Sequence, residues 1–251
     1  MEPNYIAHAA SLEDIGEYDP YSHAQGWLEA INAPAAWEAL SAGENTPGEG
    51  VIVAIVDTGV DLFHPDLENN LWSDEGGNHG YDFVNDDAQP EDESGHGTYV
   101  AGIIATAKNE TGVVGVAYGA QIMAVKVLDG DGSGSYSGIV SGINYAVQNG
   151  ADIINMSLGG FGYSQAMADV LALAQGAEAL VVVAAGNEAH PTAYAGDDYY
   201  GAYVTPADMP GVLTVMAMDT EENADGDWLA GFSNYDADPG EGVEYELMAP
   251  E

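Results

Sequence analysis

An imidazole and a carboxylate set the chemistry this chain can attempt. His96 sits within Ser94-Gly95-His96-Gly97-Thr98, and Asp57 lies 39 residues earlier, where the apolar run Val51-Ile52-Val53-Ala54-Ile55-Val56 gives way to Asp57-Thr58-Gly59. Among side chains, histidine has the unperturbed pKa nearest neutrality, so an imidazole ringed by glycines and a hydroxyl suits general-base work. A buried carboxylate would fix its tautomer. The component that does not follow is a nucleophilic serine in a suitable setting. Thiol chemistry is excluded, because there is no Cys for a disulfide, a thiolate nucleophile or a cysteine-based zinc site.

The elements that position these residues are legible as alternating patterns. Apolar, β-branched runs predict strands over Val51 to Asp57, Gln121 to Leu128, Asp152 to Leu158, Leu180 to Ala185 and Val212 to Met218. Helical periods predict helices over His96 to Lys108, Ser137 to Asn149 with Gly150 as its stop, and Ser164 to Gln175 with Ser164 as N-cap and Gly176 beyond the end. Near-continuous apolar strands alternating with helices give an α/β fold, doubly wound, with a mostly parallel sheet and helices on both faces. Ligands in such folds bind beyond the carboxyl ends of the strands. Asp57, Ser157 and Asn187 all fall at that edge. Each alone reads as a turn former, but three at equivalent strand ends, flanked by glycines that let a backbone approach, point to one crevice.

Composition narrows the partners. Two Lys and no Arg stand against 42 Asp and Glu, a net charge of −40, which disfavours nucleic acid and anionic membranes. Charged residues make up only 18% of the chain, so the imbalance comes from missing cations more than from an excess of acids. It reads as a solvated acidic face whose self-repulsion salt would screen. No run of 18 apolar residues predicts a membrane span. The start, Met1-Glu2-Pro3-Asn4-Tyr5, is acidic and lacks the apolar stretch of a signal peptide.

The stretches AIVDTGVDLFHPDL around Asp57, SGHGTYVAGIIA around His96, AVKVLDGDGSGSYSGIVSGINYA, INMSLGG and VVVAAGNE resemble, in order and spacing, the subtilisin-like serine proteases, the subtilases. The resemblance implies a three-layer α/β/α serine endopeptidase domain with the chain order Asp, His, Ser. Asp57 would orient the imidazole, His96 would shuttle the proton, and the Asn187 amide would donate to the oxyanion. Gly132, Ser133 and Gly134, with Ser157, Leu158 and Gly159, would hold an extended polypeptide as an added strand. Ala184, Gly186 and Glu188 would border the pocket for the P1 side chain, where the small residues would leave room for a large apolar group and Glu188 would admit Lys or Arg at the rim. A structural Ca²⁺ would take Asp19, Asp66 and Asn109 with backbone oxygens of Ala107, Thr111 and Val113.

The resemblance carries departures and further expectations. Tyr99 stands where the family has a second His, in the support of the helix rather than in proton transfer. Leu247-Met248-Ala249-Pro250-Glu251 resembles the segment that precedes the Gly-Thr-Ser-Met-Ala nucleophile turn, so the chain is expected to be a fragment without its Ser, its C-terminal part missing, folding poorly and inactive as it stands. A pseudoprotease that binds peptides in the same crevice is the alternative. Residues 1–16 would be the tail of an inhibitory prodomain and 17–251 the incomplete catalytic domain. The protein is expected to be secreted, monomeric and inhibited by its own prodomain. Other motifs are weak. Asp129, Asp131, Ser133 and Gly134 imitate half a calcium loop, but Val140 stands where a bidentate Glu is required. His64, His79 and His190 lack ligand spacing.

Overall fold

The computed structural model describes residues 19–189, 204–219, 229–235 and 247–250; the expected prodomain tail over 1–16 and His190 lie outside them. In chain order the strands are β1 (Ile52–Asp57), β2 (Gly80–Asp82), β3 (Gln121–Lys126), β4 (Ile153–Met156), β5 (Gly160–Phe161), β6 (Leu180–Ala184), β7 (Val204–Thr205), β8 (Leu213–Met218) and β9 (Leu247–Pro250). Seven form one sheet in the order β2-β3-β1-β4-β6-β8-β9, with every neighbouring pair parallel. β5 and β7 pair antiparallel beside it. The helices are α1 (Gly26–Ala30), α2 (Ala33–Ser41), α3 (His96–Ala105), α4 (Tyr136–Gln148) and α5 (Gln165–Gly176).

Apolar runs serve both faces of the sheet because successive side chains project to opposite sides. Ala54, Val56, Met123, Val125, Ile154, Val181 and Val183 pack with Ile139 and Ile143 of α4 and with Met167 and Leu171 of α5. The intervening Val53, Ile55, Ile122 and Ala124 pack with Ala101 and Ala105 of α3. The doubly wound α/β architecture expected from the alternation is therefore the one observed. No helix among the described residues is long and apolar enough to cross a membrane.

Element ends differ from the patterns for local reasons. β3 stops at Lys126 because the Val127 and Leu128 N–H groups both turn to the Asp57 carbonyl. α3 ends at Ala105, not Lys108, since the next free donor, Ala107 N–H, goes to the Asp66 carbonyl. α4 is capped by Ser135, whose Oγ accepts from Gly138 N–H, and Gly150 follows it at φ 77°. Ser164 does cap α5, but Gly176 lies inside that helix and Glu178 supplies the left-handed residue after it. β2, α1 and α2 were not expected; β2 and α1, three and five residues long, are too short to show a period, whereas the nine residues of α2 bury Ala33, Pro34 and Trp37. α1 and α2 are held through Gln25, which exchanges two hydrogen bonds with the Val114 backbone, and through Trp37, whose indole N–H donates to Val116 O. The loop at Asp129 is a side-chain-capped turn, its Oδ1 taking the N–H groups of Asp131 and Ser133.

Candidate active site

β3 and β4 lie on opposite sides of β1, so the chain reverses its progress across the sheet there, and the carboxyl ends of these strands flank a crevice. Asp57, fully buried, ends β1, and its Oδ1 lies 2.7 Å from His96 Nδ1 at the first position of α3. A proton on Nδ1 in that bond leaves the Nε2 lone pair facing outward, and the His96 side chain is about half exposed. The carboxylate is braced by the Thr58 N–H, which also donates to Oδ1 at 2.7 Å.

Why the helix can start so close to the strand is clear at Gly97. A Cβ there would sit 2.1 Å from the Gly59 carbonyl oxygen and 3.2 Å from Asp57 Cβ, so any side chain would push α3 away. The Gly97 N–H instead donates to Thr58 Oγ1. Asp92, which the sequence reading missed, caps this turn. Its Oδ1 accepts from Thr58 Oγ1 and from the Ser94 and Gly95 N–H groups, and its Oδ2 from Thr98 N–H and Oγ1. Burial alone would raise the Asp92 pKa, but the hydrogen bonds from Thr98, Gly95 and Thr58 together hold it below the usual carboxylate range. Asp92 is thus a fixed negative charge at neutral pH. An acid just ahead of a helical run was the signal for it.

The expected substrate residues line two recesses that share a wall. A cleft of about 470 Å³ is bordered by His96, Gly132, Ser133, Gly134, Ser157, Leu158 and Gly159. A smaller recess of about 160 Å³ is bordered by Ser157, Leu158, Gly159, Ala184, Gly186, Asn187 and Glu188. The loop carrying Asn187 is pinned by a second residue absent from the sequence reading, the buried Asn234. Its Nδ2 donates to Ala185 O and Glu188 Oε2, its N–H to Gly186 O, and its Oδ1 accepts from Glu188 N–H. Glu188, expected at the pocket rim, therefore has Oε2 occupied by Asn234 and by the Asn187 N–H. Gly186 adopts φ 104°, and a Cβ on it would approach Asn234 Nδ2 to 2.5 Å. Among the described residues no serine hydroxyl bonds His96, although Ser94, Ser133 and Ser157 line its cleft. Tyr99 is 70% exposed and lines a surface groove with Trp27 and His64, so it does not brace α3 from within.

At the loop that follows α3, Asp19 and Asp66 meet the backbone of residues 107–113. Asp19 Oδ1 accepts from the N–H groups of Asn109 and Thr111, and Asp66 Oδ2 from Val113 N–H. Both carboxylates are buried, and Asp19 Oδ2 and Asp66 Oδ1 have no hydrogen-bond partner. Burial first, and then the negative charge of Asp19, push the Asp66 pKa up. Gly112 closes on the pair at φ 58°, where a Cβ would lie 2.3 Å from Asp66 Oδ2. The loop from Ala107 to Val113 is anchored by Ala107 N–H on Asp66 O. No group of three or more His, Cys, Asp or Glu suited to a metal occurs among the described residues. The side chains that meet here are two carboxylates and the Asn109 amide, whose Oδ1 accepts from Thr111 N–H, and two orphaned carboxylate oxygens of like charge fit an oxygen-ligated cation.

Comparison with known proteins bears on the family and the fold. The profile of the subtilase family matches residues 48–251. A thermophilic serine proteinase of Bacillus sp. (strain AK1) is 35% identical over 250 residues, covering 99% of this chain and 54% of that protein. An intracellular serine protease of Paenibacillus polymyxa is 39% identical over 227 residues, covering 89% of this chain and 61% of that protein. The chain thus spans between half and two thirds of the length of these relatives. A crystal structure of a cold adapted subtilisin-like serine proteinase superposes with a TM-score of 0.61 at 33% identity, covering 82% of this chain and 64% of that one. With the Asp57–His96 pair at a parallel-sheet switch point and a family match over most of its length, this chain belongs to the subtilase family.

Proposed function

We propose that the crevice is the active site of a serine endopeptidase. The observation that carries this reading is the 2.7 Å contact of a fully buried Asp57 with a half-exposed His96 that opens on the cleft. His96 Nε2 takes the proton of a serine hydroxyl as that oxygen attacks the scissile carbonyl, and later gives it to the leaving amine. Asp57 holds the tautomer and stabilises the imidazolium, and the Asn187 amide donates to the oxyanion. An extended polypeptide runs between Gly132–Gly134 and Ser157–Gly159, with its P1 side chain in the smaller recess. The nucleophile is a serine on a segment that seats over β4, β6 and β8, where Asn155, Val182, Ala184, Val215 and Ala217 line an open groove of about 270 Å³. Family membership supports a secreted, monomeric enzyme restrained by its own prodomain; one relative, however, is named an intracellular protease.

The direct test is covalent labelling of the full-length gene product by a fluorophosphonate. One serine should be labelled, and His96→Ala should abolish labelling because the hydroxyl loses its proton acceptor. The lack of a serine against His96 among the described residues favours a second reading, a peptide-binding pseudoprotease. Peptide binding by calorimetry with neither label nor cleavage would establish that reading instead.

We further propose that Asp19, Asp66 and Asn109, with the carbonyls of Ala107, Thr111 and Val113, hold a structural Ca²⁺. When bound, the ion supplies positive charge to the two unpartnered carboxylate oxygens. A native-only ligand at a hundred times its dissociation constant stabilises by about 2.7 kcal/mol. For a domain of this size that is about 5–10 °C in Tm. Chelator should lower the melting temperature by that amount and added Ca²⁺ should restore it; a melting curve indifferent to both removes the site.

A further inference from the structure

Lys126 is one of two lysines in a chain without arginine, yet only 1% of it is exposed. It ends β3, in parallel register with Asp82 of β2 on one side and Asp57 of β1 on the other. Three buried charged residues therefore stand in a row across the carboxyl edge of the sheet, the cation in the middle. An ammonium is costly to bury unless it is paired and hydrogen-bonded, so the burial of this one, in a chain with only one other lysine and no arginine, calls for compensating contacts.

Those contacts locate its role. Nζ donates to the Thr58 carbonyl at 2.7 Å and lies 3.7 Å from Oε2 of Glu93, a side chain that is 65% exposed. Thr58 is the hub of the Asp57–His96 junction: its N–H braces Asp57 Oδ1, its Oγ1 accepts from the first turn of α3 at Gly97, and the same Oγ1 donates to Asp92. The Asp82 carboxylate is already satisfied by Val84 N–H, Asn85 N–H and Asn85 Nδ2. Asp57 Oδ2, by contrast, is buried without a hydrogen-bond partner.

We propose that Lys126 is a positioning residue for the Asp57–His96 pair: seated beside Asp57 in the sheet, its ammonium anchors the Thr58 peptide and offsets the field of the buried carboxylate on the imidazole. The charged groups that the surrounding elements bring to the pair are Asp57 from β1, Asp82 from β2, Lys126 from β3, and Glu91, Asp92 and Glu93 from the loop before α3. Lys126 is the single cation among them. Without it the imidazolium is favoured, less of the neutral base is present near pH 7, and proton abstraction weakens even if the geometry survives. This rests on reading Asp57 and His96 as the acid–base pair, but the test below reads a titration and not turnover, so each can fail alone.

The experiment is an NMR titration of the His96 imidazole in this chain and in Lys126→Gln and Lys126→Met. Gln keeps a donor for the Thr58 carbonyl, whereas Met removes both donor and charge. If charge is what matters, both variants raise the titration midpoint by about half a unit to one unit, the effect of one charge several ångströms away at an intermediate dielectric. An unchanged or lowered midpoint in either folded variant overturns the proposal and leaves Lys126 a structural anchor. A second measurement needs no variant. The buried Lys126 ammonium should give a protected ¹H–¹⁵N signal, distinct from exposed Lys108 whose protons exchange with water. That signal should persist through the His96 titration and shift in step with it. A neutral amine, or a signal indifferent to the imidazole, overturns the proposal even if neither replacement folds.

Discussion

Asp57→Asn in the full-length protein should lower kcat by about 10⁴-fold, the size known for this change in proteases with the same triad logic. KM and the melting temperature should move little. The side chain is fully buried and its Oδ1 is bonded to both Thr58 N–H and His96 Nδ1, so an isosteric amide keeps the shape of the site. What it loses is the ability to accept from both while remaining anionic. If the amide presents its NH₂ group to His96, Nδ1 must become the acceptor, the proton moves to Nε2, and the lone pair that should receive the serine proton disappears. Even in the right tautomer the imidazolium is no longer balanced by an adjacent anion. The check is steady-state kinetics on a peptide substrate beside a near-ultraviolet circular dichroism spectrum. A loss below tenfold in a folded variant would show that Asp57 is not the orienting carboxylate, and a large loss with a collapsed spectrum would show that it is chiefly structural.

How much of this was legible follows from the range of the interactions involved. β1, β3, β4, β6 and β8 and helices α3 to α5 are long enough for their apolar periods to show, and the strand-end positions of Asp57, Ser157 and Asn187 followed from them. β2 and α1 are too short to carry such a period, and the helices α1 and α2 are tied down by distant partners. Gln25 is held by Val114 and Trp37 by Val116, across 89 and 79 residues. Asn234 is the sharpest instance at the site: it holds the Asn187 loop from 46 residues away, and nothing local in Phe232-Ser233-Asn234-Tyr235 distinguishes it from a turn asparagine. Lys126 was hidden for the opposite reason. Inside the expected strand Gln121 to Leu128 it reads as one polar residue among apolar neighbours, and only the parallel register with Asp57 and Asp82 reveals a buried cation between two acids. The proposed calcium residues came from family resemblance, and what supports them is two buried carboxylates with an unpartnered oxygen on each.

Asn187→Ala should lower kcat of the full-length protein by about a hundredfold to a thousandfold and leave KM nearly unchanged. That is the size known for loss of an oxyanion-hole donor in subtilisin. The reasoning is one of timing. A ground-state carbonyl needs little from the Asn187 amide, but as the tetrahedral oxygen becomes an anion the donor strengthens, so its removal is felt in the transition state and not in binding. The backbone that carries the residue does not depend on its side chain. Asn187 N–H is tied to Glu188 Oε2, and the loop is clamped by Asn234 through Ala185, Gly186 and Glu188, so truncation at Cβ leaves the loop in place. A rise in KM matching the fall in kcat/KM would instead make Asn187 a substrate-binding residue. An unchanged kcat would move the oxyanion site elsewhere along the wall formed by Ser157, Leu158 and Gly159. The pattern separates Asn187 from Asp57, whose loss acts on proton transfer and should change the pH profile of kcat, because a donor that stays neutral across the working range has no proton of its own to titrate.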